Sequence, residues 1–140
     1  MNISKIAYTN AGWGLTVLRI VTGVIFIGHG LPKFGFGGGP GLAGTAGFME
    51  SLGLPLPMVM AGLVASAEAI GGILLVIGFM ARPAAFTQVI AMLVATFLVH
   101  WENGLMGAGG YQWSLLMAAA TTAIMIEGAG KFSIDWKISG

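Results

Sequence analysis

Residues 19–33 read Arg-Ile-Val-Thr-Gly-Val-Ile-Phe-Ile-Gly-His-Gly-Leu-Pro-Lys. The run is apolar enough for a membrane helix, yet it opens on an arginine and leaves through His29, Pro32 and Lys33. An arginine at mid-helix in a bilayer costs about 2.5–3.5 kcal/mol on insertion scales, so Arg19 is expected to face protein and to have a partner there. Placing that partner organises the rest of the chain.

Composition sets the solvent. Of 140 residues, 56% are hydrophobic and 8% charged. A soluble domain carries about a quarter charged residues, so most of this surface is expected to face lipid and not water. The length allows one domain, taken as residues 1–140. A net charge of +1 with no basic stripe excludes nucleic acid as a partner. There is no cysteine. Disulfides, thiolate-held clusters and thiol nucleophiles are therefore excluded, and any redox role needs a bound cofactor, a metal or the thiols of a partner. Only Lys5 precedes the first apolar run, Arg19 interrupts it and no Ala-x-Ala-like site follows. That run is expected to stay as an anchor and not to be removed as a signal peptide.

Four helices are predicted, over 12–31, 58–80, 83–101 and 111–127, each close to or somewhat below the ~20 residues a bilayer needs. Between the first two lies a glycine-rich loop, 34–44, and then a short interfacial helix over 45–52. Pro57 and Pro83 stand near helix starts, where proline is tolerated. The expectation is an all-α, integral membrane four-helix transmembrane bundle. Lys5, Arg82, Lys131 and Lys137 fall on one side and Lys33 alone on the other, which predicts cytoplasmic N and C termini. Near the C terminus, Ser133 and Asp135 are expected to cap helix ends, Asp135 alternatively to pair with Arg82, and Glu127 to pair with Lys131 at i+4.

If the outer ends of the first two long helices are level, Arg19 and Glu68 lie roughly 18 Å and 15 Å below that surface at ~1.5 Å per residue. The spacing predicts a buried Arg19–Glu68 ion pair. Gly23, Gly30, Gly72, Ala61 and Ala65 share the same helix faces, and small residues there let backbones approach closely.

The two histidines, His29 and His100, are expected at one level under the outer surface, near Lys33, Glu50 and Glu102. Trp101, Tyr111 and Trp113 form an aromatic ring at that level, as interfacial belts do. Three roles compete for the imidazoles. They cap helix ends through loop carbonyls or carboxylates; they ligate metal or haem; or they hydrogen-bond a quinone headgroup that arrives through the lipid. No close-spaced ligand cluster supports metal, so none is expected. His29, Lys33, His100, Trp101 and Tyr111 are the candidate ligand-binding residues, with quinone as the candidate cofactor. No catalytic residue is assigned.

Leu18-Arg19-Ile20, Gly28-His29-Gly30 with Lys33, Glu68 with Gly71-Gly72, Gly78, Arg82-Pro83 and Phe97-Leu98-Val99-His100 follow in order. With the closing Gly128-Ala-Gly130-Lys-Phe-Ser133-Ile-Asp135, the chain resembles the DoxX/DoxD-like family of small four-helix membrane proteins. The matching positions are Arg19, His29, Lys33, Glu68, His100 and Asp135. The resemblance implies a multi-pass protein of the bacterial inner membrane and a small subunit of a redox or respiratory assembly, in a family linked to quinone-coupled thiosulfate oxidation. Whether such a chain is itself an enzyme does not follow. Without cysteine it is not expected to handle persulfide itself, and Arg19 is too deep for easy anion entry. A second class of role is a non-catalytic accessory subunit that stabilises a larger complex or a homo-oligomer; an exposed small-residue face at Ala118–Ala120 would favour it. A carrier or channel ranks last, because four helices leave little pore.

Overall fold

The computed structural model describes residues 2–9 and 12–140. Those residues form helices and connecting turns, with no strand among them. A short α1 (Ile3–Ala7) precedes α2 (Trp13–Gly30), α3 (Gly41–Ser51), α4 (Pro57–Ile77), α5 (Ala81–Val94), α6 (Gln112–Glu127) and a short α7 (Ile134–Ser139). Three helical stretches, Trp13–Phe34, Pro57–Ile77 and Ala81–Asn103, are long and apolar enough to cross a bilayer. Their outward faces fit that solvent: Val17 and Val24, Leu63 and Ile70, and Phe86 and Ile90 are exposed hydrophobic side chains. In water so much exposed apolar surface would drive association. α6 is shorter, at 16 residues.

α2 packs along α4, α4 against α5, α5 against α6, and α6 returns to α2. The α2–α4 contact is close because its facing positions lack side chains. A Cβ on Gly23 would lie 2.7 Å from Gly72 O, and one on Gly30 only 2.3 Å from Ala69 N. The apolar core is built mainly of alanine with a few large residues, among them Phe26, Leu75 and Ile124.

Several boundaries differ from the sequence expectation. The glycine-rich connection is shorter than 34–44: Leu31–Phe34 continues α2 as a tighter 3₁₀ turn, and α3 already begins at Gly41 and packs on α4. α4 stops at Ile77, because Gly78 takes a left-handed φ of 68° and turns the chain. α5 starts at Ala81, ahead of Pro83, because the Asp135 carboxylate accepts from Met80 N and Ala81 N, both at 2.9 Å, and caps the helix start. At its far end α5 widens into a π-helical segment, Ala95–His100, then tightens into Trp101–Asn103. Within it the Thr96 hydroxyl donates to Met92 O at 2.8 Å and so shares a carbonyl of the helix ladder.

Candidate functional site

The buried charges sort themselves differently from the Arg19–Glu68 pair that depth alone predicts. Arg19 is completely buried. Its five N–H groups meet five backbone carbonyls: Nε donates to Ala129 O (2.6 Å), Nη1 to Leu75 O and Val76 O, and Nη2 to Phe132 O and Lys131 O. Two of these acceptors belong to the last turn of α4, where carbonyls lack helical partners and favour a cation. Glu68 instead forms an ion pair with Lys33 (2.5 Å), whose Nζ also donates to His29 O (2.9 Å). The pair expected from depth fails for a geometric reason. The outer ends of α2 and α4 are not level. Gly30 lies against Glu68 and Ala69, so the first turns of α4 rise past the end of α2. Glu68 therefore meets the end of α2, while Arg19 meets the end of α4.

Asp135 caps α5 and makes no bond to Arg82, which donates to Tyr8 O, Met125 O and Ile126 O. Ser133 caps α7 through Trp136 N (3.0 Å), as a residue of that type does.

At the opposite end, His29 and His100 line one small cavity of about 110 Å³. Phe26 and Trp113 form part of its wall, and Met92 and Met117 another part. Ser114 also reaches it, and its hydroxyl lies 2.8 Å from that of Thr96, joining α6 to α5. His100 Nδ1 lies 2.9 Å from Gly109 O. A carbonyl only accepts, so Nδ1 carries the hydrogen; in the neutral imidazole Nε2 is then an unprotonated acceptor. His29 is exposed, its ring centre 6.5 Å from that of Trp113, and it has no hydrogen-bonding partner for its ring among the described residues.

A second, larger space lies on the lipid side. A groove of about 860 Å³ runs between α3, α4 and α5. Its walls are almost wholly apolar, with Leu63, Ile70, Ile90 and Val94 among them, and Lys33 and His100 supply polar ends. Ala95 and His100 border both the groove and the small cavity, so the π-helical segment is the partition between them. Such widened turns occur often at functional sites.

Of the five ligand-binding candidates, the structure gathers His29, Lys33 and His100 around these two spaces. Trp101 and Tyr111 stand apart. Their rings stack on one another, 4.9 Å between centres, with Phe97 5.2 Å from Trp101, and they border neither space. Sequence reasoning did not single out Met92, Met117 or Ser114. Each looks like one more residue of an apolar helix, and only the packing of α5 on α6 places them beside the histidines.

A helical protein with three stretches apolar enough to cross a bilayer has known relatives. The DoxX family model matches residues 14–101, and the chain belongs to the DoxX family. It is 33% identical to "Putative oxidoreductase CatD" of Bacillus subtilis (strain 168) over 79% of this chain and 78% of that protein. It is 32% identical to "Inner membrane protein YphA" of Escherichia coli (strain K12) over 86% of this chain and 87% of that one. "Uncharacterized membrane protein Rv3486" of Mycobacterium tuberculosis (strain ATCC 25618 / H37Rv) is 28% identical over 87% and 79%. No solved structure matches at a significant level.

Proposed function

We propose that the protein is a quinone-contacting component of a redox assembly in the bacterial inner membrane. One observation carries this: His100 stands at the junction of a lipid-side apolar groove and a polar-edged cavity. A quinol is built in the same two parts, a long apolar tail and a headgroup with hydroxyl and carbonyl chemistry. The tail lies in the groove along α4 and α5. The headgroup hydroxyl donates to His100 Nε2, which Gly109 O leaves as an acceptor. His100 is then placed to take a proton as the quinol is oxidised by a partner, and Lys33, paired with Glu68, also lines the groove. The relative named as an oxidoreductase and those named as inner membrane proteins agree with this role and location.

The full topology belongs to the same proposal. α6 spans as a fourth helix, and both termini face the cytoplasm, since Lys5, Arg82, Lys131 and Lys137 lie at the end of the bundle that carries the termini. An accessory role without cofactor finds less support, because within the Ala118–Ala120 stretch Ala118 is buried in the core and only Ala119 is exposed.

The test is purification in mild detergent followed by solvent extraction of quinone. Wild type is expected to retain it. His100→Ala, which removes the acceptor, and Val94→Trp, which fills the groove, are each expected to lower retention at least tenfold. Equal retention by all three proteins, or none in wild type after lipid-rich purification, sinks the proposal.

A further inference from the structure

The small cavity collects two thioethers and two imidazoles. Met92 comes from α5, Met117 from α6, His29 from α2 and His100 from the end of the π-helical segment. They are far apart in the chain, which is why no ligand-spacing motif marks them. We propose that they form a binding site for a soft monovalent cation, Cu(I), with Ag(I) as its redox-silent equivalent.

Donor chemistry selects the ion. Thioether sulfur and imidazole suit Cu(I), whereas divalent calcium, magnesium or manganese prefer carboxylates, carbonyls and water. Among the described residues no group of three or more His, Cys, Asp or Glu side chains is placed to hold a metal. All four donors are neutral when the histidines are. Charging energy in a low-dielectric site grows with the square of the charge, so a divalent ion held by neutral groups alone would pay roughly four times the desolvation cost of a monovalent one.

The surroundings of the donors point the same way. His100 already has what a metal-bound histidine needs beyond the metal: its Nδ1–H is fixed on Gly109 O, leaving Nε2 free to coordinate. The His29 ring has no hydrogen-bond partner among the described residues, and Trp113 beside it offers a π-face to a cation. Buried methionine is often only a gap-filler. Here, however, both methionines border a space that remains open, of about 110 Å³, which exceeds the 10–15 Å³ that one water requires. Their burial, 9% and 5% exposed, shields the sulfurs from solvent without closing that space.

This site stands independently of the quinol proposal, although both use His100 Nε2 and the two ligands would exclude one another there. The probes are Ag(I), and Cu(I) under anaerobic reducing conditions, added to detergent-purified protein carrying ¹³C-methyl methionine. One ion per chain is expected, with the methyl signals of Met92 and Met117 shifting while those of exposed Met58 and Met106 stay in place. Met92→Leu and Met117→Leu conserve volume and apolarity, and are expected to keep the apo Tm while losing at least tenfold in Ag(I) affinity. No binding overturns the site. So does binding that shifts the exposed methionines and survives both substitutions, or Zn(II) binding as tightly through the same residues. Quinone retention measured on metal-free protein separates the two ideas: retention without Ag(I) binding removes only the metal site, and Ag(I) binding without retention removes only the quinol site.

Discussion

The two ends of the bundle solve opposite problems. At the end that carries the termini, Arg19, Arg82 and Asp135 are turned to backbone. Arg19 fills five carbonyls from α4 and the segment after α6, Arg82 takes the last carbonyls of α6, and Asp135 caps α5. Thr9 and Thr16 add side-chain bonds to Gly130 N and Lys131 O. At the histidine end the chain changes helix type twice in Ala95–Asn103, one imidazole keeps an open nitrogen, and two spaces meet at His100. Cations at helix C termini and a carboxylate at a helix N terminus are favourable through the macrodipole. The first end therefore ties the helices together, while the second keeps open space beside its imidazoles.

The sharpest way to break the contrast is to remove the cation that the first end is built around. Arg19→Met would strip the guanidinium donor from Val76 O, Ala129 O and Phe132 O, while Leu75 O keeps Gly78 N and Lys131 O keeps the Thr16 hydroxyl. Each buried unsatisfied group costs about 1–3 kcal/mol, so a total loss of ~3 kcal/mol or more is expected, a large fraction of a typical domain's stability. Arg19→Lys offers three donors instead of five and is expected to recover only part of it. Thermal unfolding in detergent reads both. A folded Arg19→Met protein with unchanged Tm would show that the five-carbonyl site contributes little.

Next in size is the α2–α4 seam, which connects the two ends. Gly30→Ala places a methyl 2.3 Å from Ala69 N, against backbone that cannot rotate away. A cost of about 1–3 kcal/mol is expected from overpacking. Gly28→Ala, two residues away with nothing within 4 Å of its added Cβ, should instead be neutral or gain up to ~1 kcal/mol in helix propensity. Equal Tm changes at the two positions would mean that the seam is looser than its geometry.

At the histidine end the same kind of substitution should matter less. Glu68→Gln removes the charge opposite Lys33, but Lys33 is 22% exposed and its long stem lets the ammonium reach water. A loss of about 1 kcal/mol or less is expected. Had Glu68 been the partner of Arg19, this substitution would rank beside Arg19→Met. A double-mutant cycle with Lys33→Met isolates the pair, and a coupling well above ~1 kcal/mol would count against its partly wetted character.

Much of this arrangement is legible in the sequence. Charge scarcity specifies the membrane, Pro57 at the first position of α4 and Pro83 in the first turn of α5 locate two helix starts, and the buried arginine announces a partner. Asp135 is foreseeable as a cap because short acidic side chains serve that role. Helix stagger is not legible. Neither Arg19 nor Glu68 carries information about whether α2 and α4 end at one level, and although a short helix over 45–52 is expected, its earlier start at Gly41 and its packing on α4 are not. The π-helical segment is equally silent, since Ala-Thr-Phe-Leu-Val-His reads as the continuation of an ordinary apolar helix.

The smallest expected effect separates the aromatic belt from the site. Trp101 and Tyr111 stack in the open, with Trp101 51% exposed, and they border neither space at His100. An exposed aromatic pair contributes about 0.5–1.5 kcal/mol at most, and lipid contact retains part of that when one ring is replaced by another apolar group. Trp101→Leu is expected to lower Tm slightly and to leave quinone retention and Ag(I) affinity within twofold of wild type. Trp113→Leu makes the informative partner, because that ring is part of the cavity wall and lies beside His29. Its substitution should move ligand binding more than stability. If instead Trp101→Leu lowers binding as much as Trp113→Leu does, the ligand reaches the outer stack, and the division between a belt and a site at this end of the bundle has to be redrawn around Trp101.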